Sequence, residues 1–191
     1  DYGTGGLGDM AFHIMQPAVA VANFGYPISA ECSVATRYLQ PWQKAYTPDS
    51  PPISSHIILT FEMPEKKQLK LHWMDGGIQP QRPEELKANE QMGDGGNGVI
   101  FIGKKGKMMC STYALNPQLL PTSKTAITNV PQTIQRVPGG ENAHYTTWVD
   151  ACIAGYGSNK AKELSSRFDV AGPLTESVLM GNLAIRSYDI R

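Results

Sequence analysis

The sequence has no excess of charge of either sign. Seventeen basic residues are balanced by seventeen acidic ones, and only 18 % of its 191 residues are charged. Such a balance does not steer a chain toward nucleic acid or an anionic membrane. Cysteine is scarce too. Cys32, Cys110 and Cys152 are odd in number and far apart, with neither metal-ligand spacing nor a redox CxxC pair. They read as small buried hydrophobes. No hydrophobic run approaches the ~20 residues of a membrane span. No secretory leader, internal repeat or low-complexity tract is visible, and the compartment is left unread. A dinucleotide fingerprint is missing as well. Gly3-Thr4-Gly5-Gly6-Leu7-Gly8 follows no apolar strand, and Gly93 to Gly98 precedes a strand instead of following one.

Enough apolar sequence is present for one domain over residues 1–191, since 41 % of the chain is hydrophobic. Residues 6–24 carry Leu7, Met10, Ala11, Ile14 and Met15 at the helical period. Pro17 either kinks that helix or opens a second one. Strands are predicted over Ile28–Leu39, Ser55–Met63 and Leu69–Met74. A loop fills 41–54 and a hairpin turn Pro64–Lys67. The middle strand alternates His56, Ile58 and Thr60 on one face with Ile57, Leu59 and Phe61 on the other. His56 and His72 lie within these strand patterns without a mechanistic signal.

Residues 78–96 read as irregular, with a helical turn opening at Pro83. Val99–Ile102 and Met108–Ser111 read as short strands around a lysine-bearing, solvated turn. Residues 114–140 hold four prolines and no period, and read as loop; the stretch from Tyr113 to Pro121 is a candidate rim. Amphipathic helices are predicted over Ala143–Ala154 and Pro173–Ser187. Gly181 inside the last one costs roughly 1 kcal/mol of helix propensity, which a close backbone approach would explain. Links of the hairpin kind imply an antiparallel or mixed sheet in an α+β fold.

The segment Gly5-Gly6-Leu7-Gly8-Asp9-Met10-Ala11-Phe12-His13 sets a carboxylate and an imidazole four residues apart, on one helix face. Its place so close to residue 1 leads to the expectation that a further domain precedes it. A glycine pair, Asp, three residues and His also resembles a motif of the Gfo/Idh/MocA oxidoreductases, the glucose–fructose oxidoreductase and inositol dehydrogenase superfamily. Further segments are similar to the same branch: Trp73-Met74-Asp75-Gly76-Gly77, Gly98 to Gly103 with Gly106-Lys107, and Ala171-Gly172-Pro173-Leu174-Thr175-Glu176 with Gly181-Asn182. The resemblance spans nearly the whole chain. It departs at Gln16, where many members carry an aspartate.

That resemblance implies a C-terminal α+β domain with a large, open, predominantly antiparallel sheet and helices on one face. An N-terminal Rossmann domain would bind NAD or NADP and supply the lysine of an EKP-type motif. No cofactor is expected on this chain by itself, which would then be inactive alone. Its partners would be that Rossmann domain, a small sugar or polyol, and further copies of itself through the sheet.

In the same light His13 is the candidate acid/base residue, which suits an imidazole of ordinary pKa ~6.5. Asp9 would hold the ring or bind a substrate hydroxyl. Gln16 shares the face as a hydrogen-bonding substrate contact that cannot act as a carboxylate base. Trp73 and Asp75, at a strand end before two glycines, suit sugar stacking and hydroxyl recognition. A tight turn around a buried tryptophan is the other reading. His144 opens a helix and would reach the site, or else cap and pack. A metal held by Asp9, His13 and Gln16 or His144 lacks any HExxH or cysteine cluster in support, so no metal is assigned. Two alternatives remain: a glycosidase-like enzyme using NAD, and a non-catalytic carbohydrate-binding or assembly module.

Overall fold

Helix α1 spans Gly5–Ala22 in the computed structural model, which describes residues 3–22, 24–44, 50–127, 129–131, 133 and 139–188. Leu7, Ala11, Ile14, Met15 and Ala18 recur at the helical period and are buried along one side of it. The helix is continuous through Pro17. Proline has no N–H, so the His13 carbonyl lacks its donor four residues on.

Strand β1 covers Pro27–Ala35 and ends sooner than the predicted Leu39. Its last pairing is Ala35 with Ser54. Beyond Ser54 the partner runs into Pro51 and Pro52, close enough in sequence to disrupt a ladder that needs N–H donors. Tyr38–Gln40 (β2), at the end of that predicted strand, and Gln43–Lys44 (β3), inside the predicted loop, form a separate two-stranded ribbon. Strands β4 (Ser54–Met63) and β5 (Lys67–Met74) are joined by a 3-10 turn at Pro64–Lys66. The first sheet has the order β1-β4-β5 and is antiparallel throughout. Alternation sends Ile57, Leu59 and Phe61 inward, each fully buried. They meet the apolar side of α1 together with Phe24, Trp73, Leu174 and Val178.

Strands β6 (Val99–Gly103), β7 (Gly106–Cys110) and β8 (Gln118–Leu120) make a second antiparallel sheet. Thus the chain is α+β with antiparallel pairing, as the hairpin links require. Where the resemblance implies one large sheet, the described strands divide among three. The predicted loop over 114–140 is corrected: it contains β8 and a short helix, α2 (Ser123–Ile127). Three residues between Pro117 and Pro121 are too few to show a period. β8 forms because the edge of β7 offers backbone partners, and Leu120 closes a small core with Leu86 and Met109. Residues 128, 132 and 134–138 of that segment lie outside the described residues.

Helix α3 (Ala143–Ala154) has the predicted bounds. A short α4 (Asn159–Glu163) follows, capped by Ser158, whose Oγ accepts the Ala161 N–H at 3.2 Å. Helix α5 covers Phe168–Arg186. It starts five residues before the predicted Pro173, because the Ala171 amide already donates to the Arg167 carbonyl at 2.8 Å. The chain forms two compact units, residues 128–172 and the remainder. The larger one contains all three sheets, α1, α2 and α5 from Pro173 onward.

Gly181 explains itself in that larger unit. A Cβ there would stand 2.7 Å from Leu7 Cδ2 and 3.5 Å from Ile57 Cγ2. Leu7 is fully buried and has nowhere to turn. Gly181→Ala gains roughly 1 kcal/mol of helix propensity against ~1–3 kcal/mol of overpacking. The expected net is a loss of about 1 kcal/mol, read as a lower urea midpoint at unchanged slope.

Candidate functional site

The start of α1 and the end of β5 come together. Trp73-Met74-Asp75-Gly76-Gly77 turns the chain at the sheet edge, and Gly76 permits the turn. Its φ is +61°, and a Cβ would lie 2.1 Å from the Ile53 carbonyl oxygen. Ser54 Oγ donates to the Gly76 carbonyl at 2.7 Å.

Asp75 is held by three donors. The Ser55 amide reaches Oδ1 at 2.6 Å, the Ser55 hydroxyl reaches the same oxygen at 2.9 Å, and Trp73 Nε1 reaches Oδ2 at 2.9 Å. On its other side the carboxylate packs over Gly6, where a Cβ would come within 3.2 Å of Oδ2. Asp75, Asp9, Thr4 and the 50–53 segment line an open cleft of about 820 Å3. Two carboxylates and short hydroxyl side chains make its wall a set of hydrogen-bond acceptors and small donors.

One turn beyond Asp9, His13 is exposed on the same helix. Among the described residues no hydrogen bond joins the two side chains. The His13 ring instead meets the Tyr113 ring edge-on, with centroids 5.2 Å apart. Tyr113 sits in a strained turn. Its φ is +59°, and Ala114 follows at +57°, a left-handed conformation that costs of order 1–3 kcal/mol per non-glycine residue. The candidate rim predicted from Tyr113 onward therefore has its first residue against His13.

What holds that turn is Asp94. Its carboxylate accepts from Thr112 Oγ1 at 2.7 Å, from the Asn97 amide at 2.6 Å and from the Gly96 amide at 3.1 Å. The glycine-rich 93–98 segment is thus a clasp on the Tyr113 turn. The Thr112 hydroxyl, then the two amides, hold the Asp94 carboxyl down to about 2. A depressed pKa means that the clasp is fully formed above the ordinary aspartate range near 4 and loosens as pH falls through about 2. Amide exchange at Gly96 and Asn97 is expected to stay slow down to that range and then quicken. Asp94→Ala should abolish this pH step and leave those amides unprotected throughout.

The remaining predicted residues are placed as follows. Gln16 is half-buried one turn after His13. Trp73 is 7 % exposed. Its indole is buried at the tight turn, and its N–H is the one that Asp75 Oδ2 accepts. His144 is exposed at the start of α3 in the smaller unit, with its ring edge against Tyr145 at 5.5 Å. Tyr113 and Ser55 are the residues that sequence reasoning did not single out individually. Ser55 carried no signal beyond strand alternation.

A Cβ on Gly5 would lie 2.7 Å from Pro51 Cβ, and one on Gly8 would lie 1.5 Å from Thr4 Oγ1. These two glycines serve close internal packing. Among the described residues no group of three or more His, Cys, Asp or Glu side chains is placed to hold a metal ion, and no helix is long and apolar enough to cross a membrane. No protein-family model and no curated protein matches the sequence.

Proposed function

We propose that this chain is the substrate-binding and proton-transferring half of a sugar or polyol oxidoreductase, as its resemblance to the Gfo/Idh/MocA enzymes implies. The observation that supports this reading most directly is the pairing of Asp9 with Asp75 in one cleft, one helical turn from an exposed His13. Acceptor pairs of this kind bind vicinal hydroxyls without needing charge on the ligand. Asp75 is already satisfied by three donors. It therefore acts as a fixed acceptor, since its geometry does not depend on the ligand.

His13 would take the proton of the reacting hydroxyl, or return it in the reverse direction. Tyr113 would limit the ring's rotation, and Asp9 would receive the neighbouring hydroxyl. In this reading NAD or NADP, the hydride carrier, belongs to a separate nucleotide-binding domain.

The test is binding first. Hexitols, inositols and aldoses are titrated into the chain while amide signals are followed. Selective shifts at Asp9, Asp75 and Gly76 support the reading; shifts confined to other surfaces, or none at all with any polyol, reject it. The absence of an Asp9–His13 hydrogen bond favours one second reading, a carbohydrate-binding module without catalysis. A protein containing this chain that binds a polyol but oxidises none in the presence of either nicotinamide decides for that module.

A further inference from the structure

The outward face of the first sheet carries a cluster unrelated to the cleft. His56 on β4 and His72 on β5 stack with centroids 5.2 Å apart, and Nε2 of His56 lies 3.0 Å from Nδ1 of His72. The register pairs His56 with Met74 and Ile58 with His72. Both histidines and Met74 consequently share one face, with Met74 directly opposite His56. The Asp75 amide donates to the Ser55 carbonyl at 3.1 Å, which makes His56–Met74 a non-hydrogen-bonded pair. In such pairs opposed side chains stand closest. Two imidazoles in contact thus share a solvent-facing patch with a thioether that the register sets opposite one of them.

We propose that His56, His72 and Met74 form a copper-binding site. At a metal–nitrogen bond of about 2.05 Å, two nitrogens separated by the observed 3.0 Å subtend roughly 94° at a shared ion. A separation of this size lets one ion reach both nitrogens once the rings turn. Copper(II) also heads the affinity order for nitrogen donors, and a thioether adds preference for Cu(I). Without metal, one ring donates its N–H to the other. Binding needs both lone pairs, so the donor ring moves its proton to its second nitrogen, with no net proton released from the neutral pair. Rotation of the rings about χ2, a broad and soft torsion, brings both lone pairs to one point.

The experiment uses the full chain without a histidine tag, titrated with Cu2+ and with Zn2+ at neutral pH. One equivalent of copper, giving an EPR signal split by two nitrogens, is expected. Paramagnetic broadening should remove the ring signals of His56 and His72 and spare those of His13 and His144. This readout uses the unmodified chain and does not depend on any variant folding. His56→Gln and His72→Gln should each weaken copper binding at least about tenfold, and Met74→Leu should weaken Cu(I) more than Cu(II). Zinc bound more tightly than copper, equal copper affinity in either histidine variant, or broadening centred on His13 or His144 would overturn the assignment.

Discussion

His13→Ala, made in a protein that contains this chain together with a nicotinamide-binding domain, is expected to lower turnover of its polyol substrate by roughly 10²–10⁴-fold. The KM should change far less, because hydroxyl recognition is assigned to Asp9 and Asp75 and not to the imidazole. Nicotinamide affinity should stay as it was, since no residue of this chain is given a part in holding that cofactor. The pH profile gives a sharper check. If His13 carries the proton, the limb of kcat/KM that reports an imidazole disappears in the variant. A loss of turnover with that limb intact would assign the proton to another group. Undiminished turnover would remove His13 from the chemistry. Tyr113→Ala should produce a smaller loss, about tenfold or less. It leaves the imidazole in place and removes only the edge contact that limits its rotation.

The parts of this site differ in how far they could be read from residue order. Asp9 and His13 are separated by one helical turn, and local periodicity alone puts them on one side of α1. The antiparallel pairing of β4 with β5 was likewise legible, because an alternating apolar pattern is bounded by a proline-containing turn. The meeting of Asp75 with Gly6 was not. It depends on where the α1 start lands on the sheet, and that is decided by Leu7, Ile57 and Gly181 across three separate elements. The Asp94–Thr112 bonds have the same character. A glycine-rich loop with one aspartate carries no mark of the hydroxyl 18 residues away that it will accept. The ribbon β2–β3 as a separate pair, and strand β8, were not legible for another reason. They are two or three residues long, shorter than any period can be resolved.

Leu7→Ala is expected to be the costliest single change to the fold among those considered, at about 2–5 kcal/mol. Leu7 is fully buried and lies between α1, the inner face of β4 at Ile57, and α5 at Gly181. Asp9 stands two residues on, on the opposite side of the same turn. The packing that fixes Leu7 therefore fixes the height of Asp9 over the cleft. Truncation leaves a void whose cost depends on how far α5 can settle into it. Adding Gly181→Ala probes the contact between α1 and α5 directly. In the native background that Cβ meets Leu7 Cδ2 at 2.7 Å and is unfavourable. In the Leu7→Ala background the obstructing methyl is gone, the same Cβ occupies part of the void, and the helix-propensity gain of roughly 1 kcal/mol is realised. The double variant should then be more stable than Leu7→Ala alone by about 1 kcal/mol, a change of sign that only direct contact between the two positions produces. Additive losses in urea unfolding of the four-member cycle would mean that α1 and α5 do not touch there. The placement of Asp9 beside Asp75 would then have lost its support.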